Sequence, residues 1–421
     1  MKSTVRITLF FGLVLMLGLV QNNLGAGGQG QTKSGSGKTD MVIMIDTADN
    51  TVFREKIIPL LIKKFPEINF ISKLRDSTQQ EKTIKAAFTA GESVDIVSYW
   101  PTEMRNFTEG NMALDLTPYL NADPQWKNPW GDTIKVGEYD GKIIAVPYGT
   151  VYPMILINRD LAAKAGVTVK DQWTWNEFLE ACRKIKTAMP DVYPIGVNGE
   201  WACWFTRNGL MQVWDNEAEL EAFCAGNVPF TDPRVKTVFD NVKSLYDNNY
   251  LYPGDGALAA TNDQIVSAFV RQRVVMMPYV NSMVSNAKRD TIAGAFDTAI
   301  LTWPNMGKSS MNYLITNADG YFVMSNTKQP DKAIEVLKYL TGQEIMQLLA
   351  DNGAVVPVSG IRSSDPDYAL YGRDLSLAYP TEVVKASTEI FDYILYHTPA
   401  NYILYGQQAL NELEALREKL K

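Results

Sequence analysis

The chain has 421 residues, of which 46% are hydrophobic and 21% are charged, a composition typical of globular proteins. A chain of this length is too long to fold around a single hydrophobic core, so two domains are expected. A net charge of −7 and the lack of any Lys/Arg-rich run argue against nucleic acid as a partner.

The first 26 residues have the pattern of a signal peptide. Lys2 and Arg6 give a positive n-region, residues 7–20 are an apolar run, and Leu24-Gly25-Ala26 offers small residues for cleavage. A transmembrane anchor is the alternative, but the run is short for a hydrocarbon core of about 30 Å. We therefore expect an exported protein, periplasmic or extracellular.

Residues 27–40 are rich in Gly, Ser and Gln and are predicted to be a flexible linker. No cysteine precedes Cys182, so the usual lipid-attachment cysteine is absent. Cys182, Cys203 and Cys224 form no C-x-x-C pair, which disfavours structural zinc. One disulfide among these three cysteines would leave one free thiol, and their spacing does not indicate which two would pair.

Strands and helices alternate along the first hundred residues. Strands are predicted at 41–45, 68–74 and 94–97, with helical apolar spacing between them. This order predicts a parallel α/β sheet, in which ligands bind outside the carboxyl ends of the strands. Asp46 to Asp49 follow the first of these ends, and Tyr99-Trp100 follow the third.

The stretch 139–160 combines a hairpin with a break. Asp140-Gly141 supplies the two positive-φ positions of a tight turn. Pro147-Tyr148-Gly149-Thr150 then separates one apolar strand from the next, at 154–157. We interpret the break as a crossing between two lobes, where Gly149 absorbs the change in φ/ψ.

Helix-start signals follow in the second half. Thr174 and Glu177 form a T-x-x-E capping box, and Asp232-Pro233 places proline at a first helical position. Strands are predicted at 193–197 and 321–324, the latter preceded by Asp319.

Several aromatic residues come directly after predicted strands: Trp100, Tyr148, Trp201, Trp204 and Tyr279. A ring offers a flat apolar face to the C–H face of a sugar, while nearby polar groups pair with its hydroxyls. A carbohydrate site is therefore predicted, with core packing as the alternative for each ring. Five other tryptophans are assigned to packing: Trp126, Trp130, Trp173, Trp175 and Trp214.

The motifs of common enzymes are missing from the sequence. His397 is the single histidine and its context is a helix end, so it is interpreted as structural, and two-His metal sites are excluded. There is no G-x-S-x-G, P-loop or G-x-G-x-x-G. Carboxylates are numerous, so a glycosidase pair stays open as an alternative.

The stretch YDGKIIAVPYGTVYPMILINRDLAAKAGV, followed by WTWNEFLEACRKI, resembles the extracellular solute-binding proteins (family 1) of ABC sugar importers. The family has the order G-K-x-x-x-V-P, N-x-D-L-x-x-K-A-G, T-W-x-E-F. The resemblance continues through AFVRQRVVMMPYVNSM and DGYFVMSNTKQPDKAIEVLKYL and covers most of 41–360.

The resemblance implies a two-lobed α/β periplasmic-binding-protein fold (type II), each lobe a mostly parallel sheet flanked by helices, with a hinge between. Lobe 1 would comprise 41–147 plus 303–356, and lobe 2 would comprise 151–302 plus 357–421. A monomer without catalytic activity or cofactor would capture a sugar or oligosaccharide and deliver it to the transmembrane subunits of an ABC permease.

The resemblance also places candidate ligand-binding residues at strand ends: Asp46, Asp49, Trp100, Glu103, Tyr148, Trp201, Trp204, Tyr279, Asn281, Asp319 and Arg362. Asp319 is the preferred hydroxyl-binding carboxylate, and Trp201→Ala and Asp319→Ala are predicted to weaken binding. A secreted carbohydrate-active hydrolase is one alternative. The same fold binding a peptide, a polyamine or a phosphorylated sugar is another, and a phosphate would need Arg or Lys at the strand ends.

Overall fold

The computed structural model describes residues 37–46, 50–75, 80–151, 153–281, 284, 287, 295–364, 377, 383–384 and 386–421. The predicted signal peptide, most of the predicted linker and Asp49 lie outside these residues. Within the described ranges, no helix has both the length and the apolar character that crossing a membrane requires.

The described strands are, in chain order, β1 Thr39–Asp46, β2 Ile68–Arg75, β3 Ile96–Tyr99, β4 Glu138–Tyr139, β5 Lys142–Ile143, β6 Val146–Val151, β7 Pro153–Asn158, β8 Tyr193–Ile195, β9 Val274–Val280, β10 Thr298–Thr302 and β11 Asn317–Val323. The longer α-helices among the described residues are Ile58–Lys64, Gln80–Thr89, Trp175–Ala188, Trp201–Gln212, Glu217–Cys224, Pro233–Asp247, Asn262–Val270, Pro330–Leu340, Gln343–Asp351, Thr398–Tyr405 and Gln407–Leu420. Shorter helical segments include Pro101–Glu103, Arg159–Lys164, Thr388–Asp392 and Tyr393–His397.

Five of the described strands form the first sheet, in the order β2-β1-β3-β11-β6. β1 pairs in parallel with β2 and with β3, as the alternation of strands and helices predicted. β11 is antiparallel to both β3 and β6. The parallel half is therefore the part made by the first hundred residues.

Four described strands form the second sheet, in the order β10-β7-β9-β8. Only the β8–β9 pair is parallel in this part of the chain, whereas β7 is antiparallel to β9 and to β10. The expectation of a mostly parallel sheet is thus wrong for this lobe. β7 lies between β9 and β10 in the sheet and runs opposite to both.

Local signals read from the sequence are confirmed at several elements. Asp140 and Gly141 have φ of 51° and 75° and connect β4 to β5. The Thr174 hydroxyl accepts from the Glu177 N–H and the Glu177 carboxylate accepts from the Thr174 N–H, which completes the capping box.

The predicted break at residues 147–150 is a continuous strand. β6 runs through Pro147 and Gly149 and pairs with β11, whose register shifts between Asp319 and Gly320. β6 is at the edge of its sheet, where the missing N–H of proline is tolerated. The chain crosses to the second sheet just after β6, and Thr150 is also bridged to Val355.

Each sheet is covered on both faces by apolar side chains. Elements packed on the first sheet form lobe 1, and those packed on the second sheet form lobe 2. Trp303, Met311 and Ile315 lie in a lobe 2 core, although 303–356 was assigned to lobe 1. Val358 and Ile361 pack against lobe 1, although 357–421 was assigned to lobe 2.

Candidate functional site

The carboxyl ends of β1, β2 and β3 are joined by a buried arginine. Arg75 Nη1 donates to Asp46 Oδ2 at 3.0 Å, and Arg75 Nη2 donates to the Ser98 hydroxyl at 3.2 Å and to the Ser98 carbonyl. Arg75 is 3% exposed and Asp46 is 8% exposed. The predicted ligand carboxylate of Asp46 is therefore engaged by a guanidinium, and this arginine was missed in the sequence.

Aromatic and acidic side chains continue this edge after β3. The rings of Tyr99 and Trp100 are stacked, with centroids 5.8 Å apart and an interplanar angle of 29°. Glu103 follows in the short helical turn Pro101–Glu103 and is half-buried. Burial, followed by the negative charges of Glu81 and Glu103, raises the pKa of Tyr99, so its hydroxyl stays protonated.

On the second sheet, Tyr279 near the end of β9 anchors a hydrogen-bonded group. Its hydroxyl donates to Glu200 Oε2 at 3.1 Å and accepts from Asn198 Nδ2 at 2.9 Å. Burial, reinforced by the Glu200 charge, raises the pKa of Tyr279 well above its usual value. Glu200 itself is exposed, so its carboxylate is held in place yet open to solvent.

Trp204 lies beside this group on the Trp201–Gln212 helix. Its ring meets the Tyr279 ring edge-on, with centroids 5.8 Å apart and an interplanar angle of 81°. The Arg207 guanidinium lies 5.0 Å from the centroid of the Trp204 ring and 5.7 Å from that of Phe391. Trp204 is half-buried, so an oriented indole is presented at the edge of lobe 2.

Trp201 is placed differently from the prediction. It is completely buried in the lobe 2 core and its ring lies parallel to Tyr246, with centroids 6.3 Å apart. The helix begins at Trp201, and Phe205, one turn further on, is buried in the same core. The assignment of Trp201 to the ligand is therefore wrong, because no face of its ring is open.

Three predicted residues lie at the crossing between the sheets. Tyr148 is 7% exposed and packs on Tyr321, with ring centroids 4.4 Å apart, so it belongs to the lobe 1 core. Asn281 Nδ2 donates to the Thr150 carbonyl at 3.2 Å. Asp319 is half-buried opposite Gly149 in the β6–β11 pair.

Arg362 lies apart from these contacts. It is exposed in a segment tied to the Gln343–Asp351 helix, where Gln347 Nε2 donates to its carbonyl at 2.8 Å. The structure brings together Trp204 with Tyr279, and Trp100 with Glu103, but it does not bring Arg362 to either pair.

The C-terminal segment contributes residues that the sequence did not single out. The turn Tyr393–His397 packs on the Trp201–Gln212 helix. Burial, followed by the charges of Glu103 and Glu81 in lobe 1, raises the pKa of Asp392. Asp392 is thus within electrostatic reach of two carboxylates of lobe 1.

A family model described as bacterial extracellular solute-binding protein matches residues 50–347. Over 164 residues the chain is 24% identical to the sn-glycerol-3-phosphate-binding periplasmic protein UgpB of Rhizobium meliloti. The aligned segment covers 38% of this chain and 35% of that protein. The matched part is thus well under half the length of these curated relatives.

Solved structures with the same fold include an ABC substrate-binding protein from Listeria monocytogenes in complex with cycloalternan. Its TM-score is 0.73 at 17% identity, covering 91% of this chain and 99% of that chain. A chitin oligosaccharide binding protein has a TM-score of 0.75 at 18% identity, covering 91% of this chain and 98% of that chain.

Proposed function

The chain belongs to the family of bacterial extracellular solute-binding proteins, and we propose that it captures a sugar or oligosaccharide between its two lobes for an ABC importer. In this proposal it is exported to a periplasm or cell surface, acts as a monomer without catalysis, and delivers its ligand to the transmembrane subunits of a permease. The group formed by Trp204, Tyr279, Glu200 and Asn198 carries the proposal.

The chemistry of that group suits a carbohydrate. The Trp204 ring offers an apolar face to sugar C–H groups, and its orientation is fixed by Tyr279 and Arg207. The Glu200 carboxylate is exposed and would accept hydrogen bonds from ligand hydroxyls, which is the role of the few polar groups in small-molecule sites. Across the cleft, Trp100 and Glu103 supply the same combination from lobe 1.

Closure of the lobes would engage both sides at once. We propose that the crossing after β6 is a hinge, with lobe 1 formed by the described residues within 39–151 and 317–364 and lobe 2 by those within 153–315 and 383–421. A ligand that contacts both edges favours the closed state by its differential affinity. The closed shape is then what the permease recognises.

A phosphorylated ligand is the second candidate, because the curated relative is named for sn-glycerol 3-phosphate. The arginines near the cleft argue against it. Arg75 is paired with Asp46 and Ser98, and Arg207 is stacked between Trp204 and Phe391. A phosphate would instead meet the carboxylates of Glu103 and Glu200, so a neutral ligand is favoured.

Calorimetric titration with raffinose, maltotriose and N,N′-diacetylchitobiose tests the proposal. Saturable binding of at least one sugar is expected, with a rise in melting temperature, since ligand at a hundred times Kd stabilises by about 2.7 kcal/mol. Release of reducing ends from the same sugars would favour the hydrolase alternative. Failure of all three to bind would contradict the proposal.

A further inference from the structure

Asn198 lies level with Tyr279 at the carboxyl edge of the second sheet. β8 and β9 are parallel, with Ile195 opposite Met276, so the residue three positions after Ile195 reaches the height of the residue three positions after Met276. The Gly196 N–H donates to the Met276 carbonyl at 2.8 Å, which continues this register beyond the last residue of β8. The sheet itself therefore brings Asn198 to Tyr279.

The orientation of the Asn198 amide is fixed by a backbone group. The Glu200 N–H donates to Asn198 Oδ1 at 3.3 Å, and because a backbone N–H can only donate, the atom that faces it is the oxygen. The other amide atom, Nδ2, lies 2.9 Å from the Tyr279 hydroxyl oxygen. Since an amide nitrogen only donates, the Tyr279 oxygen accepts this bond.

The single proton of the Tyr279 hydroxyl is consequently directed to Glu200, whose Oε2 lies 3.1 Å away. Three hydrogen bonds thus form a closed ring: the Glu200 N–H donates to Asn198, the Asn198 amide donates to Tyr279, and the Tyr279 hydroxyl donates back to the Glu200 carboxylate. Turning the amide over would place two donors face to face at Glu200. The direction of every bond in the ring therefore depends on Asn198.

Glu200 gains a fixed carboxylate from this ring although the residue is exposed. It precedes the first turn of the Trp201–Gln212 helix, yet its side chain does not cap that helix and instead reaches Tyr279. A glutamate side chain that moves freely loses rotamer freedom when a ligand immobilises it. Because the ring orders Glu200 on folding, a ligand meets a carboxylate that is already in place.

We propose that Asn198 is a positioning residue for ligand binding: by fixing the direction of the Tyr279 hydroxyl, it holds the Glu200 carboxylate as an acceptor for a ligand hydroxyl. This inference rests on the proposed function, since it assigns Glu200 to a ligand that presents hydroxyl groups. Tyr279 engages Oε2 and leaves Oε1 to accept from the ligand. Asn198 acts through Tyr279 and does not itself contact the ligand.

Asn198→Asp tests the proposal with almost no change in shape. Aspartate keeps the oxygen that accepts from the Glu200 N–H but lacks the donor, so two carboxylates compete for the Tyr279 proton. By calorimetric titration, affinity for whichever of raffinose, maltotriose and N,N′-diacetylchitobiose wild type binds best is expected to fall roughly tenfold. Asn262→Asp is the matched control, because Asn262 is exposed and lines the same small recess as Asn198 and Tyr279. It should bind the sugar like wild type.

Tyr279→Phe separates positioning from a purely structural role of Asn198. Phenylalanine keeps the ring that contacts Trp204 but removes the hydroxyl through which Asn198 acts. Asn198→Asp should therefore cause no further loss of affinity in the Tyr279→Phe background, whereas independent effects on the fold would add. Melting temperatures show which variants are folded. If Asn198→Asp does not fold, Tyr279→Phe and Glu200→Ala form the same cycle, in which the two losses must again fail to add.

The outcomes distinguish this inference from the function on which it rests. Wild-type affinity in Asn198→Asp would overturn the role of Asn198 and leave sugar binding intact. Additive losses in either cycle would also overturn it, since the two residues would then act separately. Equal losses in Asn198→Asp and Asn262→Asp would overturn it as an effect of the added charge. A wild-type protein that binds none of the three sugars would overturn both the inference and the proposed function.

Discussion

Replacing Arg75 by alanine is expected to destabilise the protein strongly. Arg75 joins the ends of three strands of the first sheet, and its partner Asp46 has a side chain that is 11% exposed. Removing the guanidinium leaves the Asp46 carboxylate without its cation and largely shielded from bulk water. Loss of one partner of a buried pair lowers the free energy of unfolding by about 3–5 kcal/mol.

The same strand offers a matched control. Lys73 lies two residues before Arg75, on the same face of β2, and forms an ion pair with Glu92 in which the side chains are 36% and 46% exposed. Exposed pairs of this kind contribute about 0–1 kcal/mol. Lys73→Ala should therefore be close to wild type, although both variants remove one positive charge from β2.

Urea denaturation of wild type, Arg75→Ala and Lys73→Ala gives the comparison, with midpoint and slope determined separately. Arg75→Met combined with Asp46→Leu should regain most of the lost stability, because neither buried charge remains. Similar losses for Arg75→Ala and Lys73→Ala would refute the reasoning. That result would mean that Asp46 is solvated once its arginine is removed.

Three further outcomes follow from the same structure. Trp204→Ala should weaken sugar binding about tenfold, whereas Trp201→Ala should lower the free energy of unfolding by about 3–5 kcal/mol because it truncates a core side chain. Both variants are measured by titration and by denaturation. A loss of stability in Trp204→Ala with a loss of affinity alone in Trp201→Ala would contradict this assignment. sn-Glycerol 3-phosphate should bind more weakly than a neutral oligosaccharide in a competition titration, and tighter binding would show that a cation reaches the ligand. Cys182, Cys203 and Cys224 are buried and free, and burial raises the pKa of Cys203 and Cys224 to about 11, so a thiol reagent at neutral pH should label them only in urea. Rapid labelling of the native protein would contradict this.

Features set by neighbouring residues could be predicted from the sequence. The hairpin at Asp140-Gly141 and the helix start at Thr174 depend on residues within three positions of each other. The order of strands and helices up to β3 also predicts parallel pairing, because crossovers between such strands are constrained. The five tryptophans assigned to packing are all buried: Trp126, Trp130, Trp173, Trp175 and Trp214.

Features set by distant segments could not be predicted in the same way. The Arg75–Asp46 pair requires the register of β1 against β2, which the sequence pattern leaves open. Trp201 and Trp204 were treated alike because nothing marked Trp201 as the first residue of a helix. Their roles differ because the helix turns only one of them into the core.

The position of the cleft follows from the path of the chain. β6 ends in one sheet and β7 begins the other, so the proposed cleft lies where the chain passes between the two sheets. The polar and aromatic groups of the proposed site are consequently drawn from widely separated parts of the chain, near residues 99, 200 and 279. No single stretch of sequence contains the proposed site, because its groups follow strands of two different sheets.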